Sequence, residues 1–182
     1  VNMSLGDDEA ISYKRSEIDR LAELLVAEGI IVVAAAGNDE NGSIKPPANS
    51  PNVITIGGID DENKLQVFAN KLYHSAYGRT IDDFMKPELV AHAIWIAAPI
   101  LPGTKEKKES EILHRLTKLN GDLLLQELKT YSAHTGLDNS VTQSNDVTFI
   151  HEAIIRRIQS CKYISSHYMH VDGTSFAAPT VS

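Results

Sequence analysis

The stretch IIVVAAAGND at residues 30–39 decides the fold class of this chain. Its first seven residues form an unbroken apolar run that is rich in β-branched side chains. Such a run predicts a strand that is covered on both faces, as in a parallel sheet packed between helices. Gly37 and Asn38 then follow at the carboxyl end of the strand, where α/β sheets commonly carry their functional groups.

The segments on either side of this strand predict the rest of the sheet. The stretch SEIDRLAELLVAEG at residues 16–29 predicts a helix, with Ser16 as its N-cap and Gly29 as its end. The apolar residues of its buried face are expected to be Ile18, Leu21, Leu25 and Val26. VITIGG at residues 53–58 predicts a second covered strand, and VNMSL at residues 1–5 predicts another. The order strand, helix, strand implies a parallel crossover, so we predict an α/β fold with a doubly wound parallel sheet.

The sequence between residues 105 and 170 has a different, helical pattern. Apolar residues recur at helical spacing in two groups, which are Ile112, Leu116, Leu119 and Leu123, and then Ile150, Ile154, Ile158 and Cys161. This spacing predicts two amphipathic helices. The polar residues 132–146 predict a flexible loop between them.

The composition bounds the class of function. With 182 residues and 42% hydrophobic content, the chain suits one domain with a single core. Its formal net charge of −7 disfavours a nucleic-acid partner, because phosphate binding needs clustered Lys and Arg. The single cysteine, Cys161, excludes an intrachain disulfide and a cysteine-based zinc site. No apolar run approaches the roughly 18 residues of a membrane helix, so we expect no membrane partner.

The stretch DGTSFAAP at residues 172–179 raises the question of what Ser175 does. A serine at a predicted helix start is usually a cap that accepts a hydrogen bond from a free backbone N–H group. A nucleophile at the same place would have a backbone amide aimed at a developing oxyanion. Gly173 permits a sharp turn, and Ala177 and Ala178 leave room for a substrate backbone, which favours the nucleophile. Asn38 is similarly either a turn residue or an amide donor.

Several stretches together resemble the subtilase family of serine proteases. NMSLG at residues 2–6 is similar to the strand that holds an extended substrate in that family, and VVAAAGND at residues 32–39 resembles the strand and turn with the oxyanion asparagine. DGTSFAAP resembles the nucleophile box, and KPELVA and LPGT, within residues 86–104, resemble the segment before it. The resemblance covers about residues 1–104 and 171–182. We therefore expect residues 1–182 to be a partial subtilase catalytic domain, with residues 105–170 as a helical insertion.

The resemblance implies a role for each matched residue. Ser175 is expected to be the nucleophile, and Asn38 is expected to donate its side-chain amide to the oxyanion. The expected substrate-binding residues are Ser4, Leu5, Gly6, Ala35, Ala36, Gly37 and Thr174. The implied substrate is a polypeptide, and secretion is the default location in the family. Calcium is common in the family, but the residues themselves predict no metal site and no cofactor, and DDEN at residues 60–63 predicts a polar turn.

The family's catalytic aspartate and histidine precede the SLG strand, and nothing in this chain resembles either box. A serine hydroxyl is a weak nucleophile until a base accepts its proton. We therefore expect a C-terminal part of the catalytic domain of a subtilisin-like serine endopeptidase, inactive by itself. One alternative is a non-catalytic subtilase-like module that binds a protein partner through its added helices. An unrelated α/β hydrolase is disfavoured, because its G-x-S-x-G turn is absent here.

Overall fold

A computed structural model of the chain describes residues 1–66 and 70–182, and these divide into two compact units. The first unit comprises Val1–Ile96 and Asp172–Ser182, and the second comprises Ala97–Val171. The strands are β1 (Asn2–Met3), β2 (Val33–Ala35), β3 (Ile54–Asp60), β4 (Lys71–Leu72), β5 (Gly78–Arg79), β6 (Met85–Lys86), β7 (Leu89–His92), β8 (Ile96–Pro99) and β9 (Tyr168–Val171). The α-helices are α1 (Glu17–Ala27), α2 (Lys105–Leu116), α3 (Gly121–Tyr131), α4 (Asn139–Thr142), α5 (Val147–Ser160) and α6 (Thr174–Val181). None of the helices in the described ranges is long and apolar enough to span a bilayer.

The main sheet of the first unit is largely parallel. Strands β1, β2, β3 and β7 lie side by side in that order, and each pairs in parallel with the next. The register places Val33 between Asn2 and Ile54. The short strand β4 adds an antiparallel pair to the end of β3. This topology confirms the predicted α/β fold with a parallel sheet.

Helices cover the central strand of this sheet on both faces. Val32, Ala34 and Ala36 are buried in the cluster that contains Ala22 of α1. Val33 and Ala35 are buried in the cluster that contains Ala177 and Ala178 of α6. Alternate residues of a strand point to opposite faces, so α1 and α6 must cover opposite sides of β2. The doubly wound arrangement therefore follows from the apolar run at residues 30–36.

Helix α1 begins as predicted but buries a narrower face. The Ser16 hydroxyl accepts a hydrogen bond from the Asp19 N–H at 3.2 Å, which confirms Ser16 as the N-cap. Gly29 ends the helical segment with a φ of 80°. The prediction that Leu21 lies on the buried face was wrong, because its side chain is 49% exposed while Ala22 is fully buried. Helical periodicity gives the direction of the buried face only to within about one residue position.

The second unit has its own apolar core and more helices than predicted. The buried residues of this core are Ile100, Ile112, Leu113, Leu116, Leu124, Leu128, Val141, Ile150, Ile154 and Tyr163. The prediction of two helices joined by a loop was wrong. Asn120 and Gly121, with φ of 55° at Gly121, start the separate helix α3. Residues 132–146 contain a 3₁₀ turn and the short helix α4.

A partly buried ion pair joins two helices of this second unit. Arg157 of α5 donates from Nε to Glu109 Oε1 of α2 at 2.7 Å, and the Glu109 side chain is only 5% exposed. The Tyr163 hydroxyl lies 3.5 Å from the other carboxylate oxygen. Gly136 packs directly over the pair, because a Cβ at this position would lie 2.5 Å from Arg157 Nη2. The pair therefore requires glycine at position 136.

Candidate active site

The N-cap of α6 is a glycine and not Ser175. Gly173 is the N-cap residue, with a φ of 135°, and its N–H donates to the Ala93 carbonyl at 2.7 Å. Ser175 is the second residue of the helix. The interpretation of Ser175 as a helix cap is therefore wrong. Its backbone N–H belongs to the first turn, where N–H groups have no partner within the helix.

Asn38 supplies the cap from another part of the chain. Its Oδ1 accepts the Thr174 N–H at 2.8 Å and the Thr174 hydroxyl at 3.0 Å. A backbone N–H can only donate, so the atom that faces it must be the amide oxygen. The same hydroxyl accepts the Gly37 N–H at 3.2 Å. These contacts fix the orientation of the Asn38 amide and leave its Nδ2 donor on the opposite side.

Glycine is required at two positions around this amide. Gly37 has a φ of 105°, which ends β2 in a conformation that other residues rarely adopt. A Cβ at Gly173 would lie 3.3 Å from Asn38 Nδ2, in addition to the strain of its positive φ. A side chain at position 173 would therefore crowd the donor that the two glycines position.

The amino-terminal segment of the chain contacts the start of α6. The Ser4 hydroxyl donates to the Ser175 carbonyl at 2.8 Å, which ties the end of β1 to the start of α6. Asn2 in turn donates from Nδ2 to the Ser4 hydroxyl at 3.0 Å. Across residues 1–66 and 70–182 we find no hydrogen bond to the Ser175 hydroxyl. Ser175 as a residue is half-buried and lines a cleft.

The cleft lies within the first unit and has a volume of about 260 Å³. Of the predicted site residues, all except Ser4 line it. They are Leu5, Gly6, Ala35, Ala36, Gly37, Asn38, Thr174 and Ser175. Residues 35–37 come from the end of β2, residues 5 and 6 from the segment after β1, and the last two from the start of α6. Three elements that are distant in sequence therefore meet at one concave surface.

This architecture agrees with the family model that matches the chain. The model of the subtilase family matches residues 1–182. The chain belongs to the subtilase family. Subtilisin-like protease 3 of Pseudogymnoascus destructans is 39% identical over 71 residues, which cover 38% of this chain and 16% of the relative. Subtilisin-like proteinase Mp1 of Magnaporthiopsis poae is 32% identical over 99 residues, which cover 54% of this chain and 22% of the relative. The matched segments thus span less than a quarter of these curated relatives.

Solved structures support the same fold. The prenylagaramide maturation protease PagA superposes with a TM-score of 0.50 at 17% identity, over the whole of this chain and 39% of the other. The S41 psychrophilic protease also gives a TM-score of 0.50 at 17% identity, over 99% of this chain and 39% of the other. At this identity the likeness shows a shared fold.

The cleft of this subtilase also contains residues that the sequence analysis did not single out. They are Asp7, Asp39, Gly42, Ser43, Lys45 and Ala76. Asp7 directly follows the matched motif NMSLG, and Asp39 is the last residue of the matched motif VVAAAGND, so their position at those motifs was a usable signal. Lys45 and Ala76 reach the cleft only through the path of the intervening loops. Sequence spacing carries no signal for them.

The electrostatic setting of the nucleophile box is acidic. The Tyr73 hydroxyl donates to Asp172 Oδ2 at 3.3 Å, three residues before Ser175. Burial, together with the nearby Asp172 carboxylate, raises the pKa of Tyr73 to about 12. No histidine is among the residues that line the described cleft. The described ranges also contain no cluster of three or more histidine, cysteine, aspartate or glutamate side chains suited to a metal ion.

Proposed function

We propose that this subtilase chain supplies the nucleophile and the oxyanion donors of a subtilisin-like serine endopeptidase, which hydrolyses peptide bonds through an acyl-enzyme. One observation carries the proposal: Ser175 lines a cleft together with Asn38, whose amide oxygen is already held by Thr174. An asparagine that only held the fold together here would use that amide oxygen alone. The orientation leaves Nδ2 as a donor, which is what an oxyanion requires.

The chemistry follows from the groups at the start of α6. Ser175 Oγ would attack the peptide carbonyl carbon and form a tetrahedral intermediate. The resulting oxyanion would accept hydrogen bonds from the Ser175 backbone N–H and from Asn38 Nδ2. The positive end of the α6 dipole adds to this stabilisation. Collapse of the intermediate expels the amine and leaves an acyl group on Ser175, which water then removes.

The proton of Ser175 Oγ needs an acceptor, and we propose that this base comes from outside the described residues of the cleft. The lining contains no histidine. The two histidines of the first unit have other neighbours: the His74 ring stacks 4.0 Å from the Tyr73 ring, and His92 Nδ1 lies 3.3 Å from Asp61. The subtilase aspartate and histidine would therefore be contributed by other residues of the protein. Without them, residues 1–182 are inactive.

The substrate proposed is an extended polypeptide. Ser4, Leu5 and Gly6 follow β1 and are exposed, so their backbone groups can pair with a second extended chain. Ala35, Ala36 and Gly37 present little side-chain volume and form one side of the cleft. A substrate side chain can therefore enter the space above them.

A serine-reactive probe tests the proposal. The full-length protein should label with a fluorophosphonate at Ser175 and cleave an unfolded protein, whereas residues 1–182 alone should do neither. Ser175→Ala should abolish both reactions. Asn38→Ala should lower turnover by about 10²- to 10³-fold, because it removes one oxyanion donor.

Two outcomes would contradict this account. Labelling of Ser175 in residues 1–182 alone would show that another group of this chain acts as the base. A full-length protein that is folded but neither labels nor cleaves would favour the alternative, a non-catalytic module that binds a protein partner.

A further inference from the structure

We infer that the second unit binds the carboxyl terminus of a peptide whose last side chain is apolar, in a cavity beside Arg157. The inference concerns a surface outside the cleft that contains Ser175, and it does not rest on the proposed function. The Arg157 cavity is lined by residues from the segment 136–160. Its volume of about 480 Å³ lies within the range of about 300–1,000 Å³ that is typical of ligand sites in proteins.

Arg157 keeps the terminal part of its guanidinium group available to a ligand. Its Nε donates to Glu109 Oε1 at 2.7 Å, and the Glu109 side chain is only 5% exposed, so the arginine is anchored from the protein interior. Among the described residues we find no hydrogen-bond acceptor for Nη1 or Nη2. Terminal guanidinium nitrogens that are free in this way can bind a carboxylate through two parallel N–H···O hydrogen bonds.

Gly136 leaves the guanidinium uncovered at the wall of the cavity. Gly136 and Arg157 both line the cavity, and a Cβ at position 136 would lie 2.5 Å from Arg157 Nη2. The guanidinium therefore packs against bare glycine backbone, in the space that any other side chain would fill. Because Glu109 and Gly136 fix the position of the charge before a ligand arrives, little side-chain entropy is lost on binding.

Apolar side chains line the same cavity. They are Leu137, Val141, Phe149 and Ala153. Val141 is buried in the core of the second unit, whereas Phe149 is 38% exposed. A fixed cation beside apolar surface suits a ligand that carries a carboxylate and an apolar group close together. The last residue of a peptide has this chemistry, because its carboxylate and its side chain are attached to the same carbon.

The charges of the lining favour an anion. Arg156 and Arg157 contribute two positive charges and Asp138 contributes one negative charge, so the lining carries a formal charge of +1. Arg156 Nη2 already pairs with Glu152 at 3.2 Å, and both side chains are exposed, so Arg157 is the residue that meets the ligand carboxylate. Asp138 is exposed and makes no side-chain capping bond to α4. Its removal makes the lining more positive and supplies a test of sign.

The experiment measures peptide binding to the full-length Ser175→Ala variant by fluorescence anisotropy. Ser175→Ala prevents cleavage of the probes. The probe is a short peptide that is labelled at its amino terminus and ends in leucine with a free carboxylate. Amidation of this carboxylate should weaken binding by about tenfold or more, because the charge-assisted hydrogen bonds are lost. Replacement of the last leucine by serine should weaken binding about threefold to tenfold, and added salt should weaken it further.

Variants of the lining test the assignment of the carboxylate to Arg157. Arg157→Lys keeps a cation beside Glu109 but removes the planar fork, so it should weaken binding of the free-carboxylate peptide about fivefold to tenfold and leave the amidated peptide unchanged. Asp138→Asn should strengthen binding about twofold. Arg115→Lys is the matched control, because Arg115 pairs with Glu127 at 2.8 Å in the same unit and does not line the cavity. Circular dichroism checks that each variant is folded.

Three results would overturn the inference. One is equal affinity for the free and the amidated peptide, and another is a preference for the free carboxylate that Arg157→Lys and Asp138→Asn both leave unchanged. The third is displacement of the peptide by inorganic phosphate at equal concentration, which would indicate a site for any anion. Because Asp138→Asn leaves the pair of Arg157 and Glu109 intact, it tests the inference even where Arg157→Lys fails to fold. The proposed function is tested separately, by labelling of Ser175, so either conclusion can fail without the other.

Discussion

Replacing Thr174 with valine tests the network that orients Asn38. Valine has nearly the shape of threonine but lacks the hydroxyl, which donates to Asn38 Oδ1 at 3.0 Å and accepts the Gly37 N–H at 3.2 Å. Thr174 is 1% exposed, so water cannot replace the lost group. The Thr174 N–H contact to the same oxygen, at 2.8 Å, survives the substitution.

The expected destabilisation follows from these contacts. The two lost hydrogen bonds contribute about 1 kcal/mol each to the free energy of unfolding. The Gly37 N–H, left without an acceptor, costs about 1–3 kcal/mol more. We expect Thr174→Val to lower the free energy of unfolding by about 3 kcal/mol, which corresponds to a fall of roughly 1.5 M in the urea midpoint. Thr174→Ser keeps the hydroxyl and removes one methyl group, so it should cost about 1 kcal/mol.

The single tryptophan makes the measurement selective for the first unit. Trp95 belongs to that unit and donates from Nε1 to Asp60 at 3.0 Å, so its fluorescence should report unfolding there. In the full-length protein, Thr174→Val should also lower turnover by about tenfold, less than Asn38→Ala does, because the amide loses one of its two contacts. If Thr174→Val and Thr174→Ser were equally stable and equally active, the proposed role of the hydroxyl would be refuted.

Three further predictions concern groups outside this network. Burial raises the pKa of the Asp19 carboxyl, with smaller contributions from Glu23 and Asp82, against the lowering effect of the Ser16 and Ser50 hydroxyls. The folded state therefore keeps the Asp19 carboxyl protonated to higher pH than the unfolded state does, so the free energy of unfolding should fall as pH rises from about 4. Asp19→Asn should remove this contribution to the pH dependence, and parallel pH profiles of the urea midpoint for the two proteins would contradict the prediction. Gly136→Ala should cost roughly 2–5 kcal/mol, because an alanine is strained at a φ of 62° and its Cβ would meet both members of the partly buried Arg157–Glu109 pair. Gly121→Ala, with a similar φ of 55° and open space, should cost only about 1–2 kcal/mol, and urea unfolding followed by circular dichroism compares the two variants. Tyr73 should ionise near pH 12 in an absorbance titration at 295 nm, ahead of Tyr163, whose pKa burial raises further. Tyr73→Phe should remove the earlier of these two ionisations, and Asp172→Asn should shift it to lower pH; an unchanged titration in both variants would show that another tyrosine is responsible.

Local patterns were sufficient for three of the four parallel strands, β1, β2 and β3, and did not predict β7. The apolar run before Gly37 predicted a strand covered on both faces, and Ser16 predicted the start of α1, because both depend on neighbours a few residues away. The run itself contains only three strand residues, Val33–Ala35, since strand bounds depend on which backbone groups find a partner across the sheet. Apolar spacing along the sequence gave a wrong prediction of the helices of the second unit. There residues 117–120 interrupt the helical pattern and Gly121 begins the separate helix α3, although the apolar spacing continues from α2 into α3.

The sequence by itself determined the fold class, the family and eight of the fourteen residues that line the cleft, because these depend on short motifs and on the periodicity of apolar side chains. It did not decide whether Ser175 is a cap, how the Asn38 amide is oriented, or that Asp7, Asp39 and Lys45 share one cleft with them. Only the tertiary structure decided these points. Asn38 and Thr174 are 136 residues apart, and contacts across such a separation are fixed by the packing of α6 on the sheet, which no local pattern encodes.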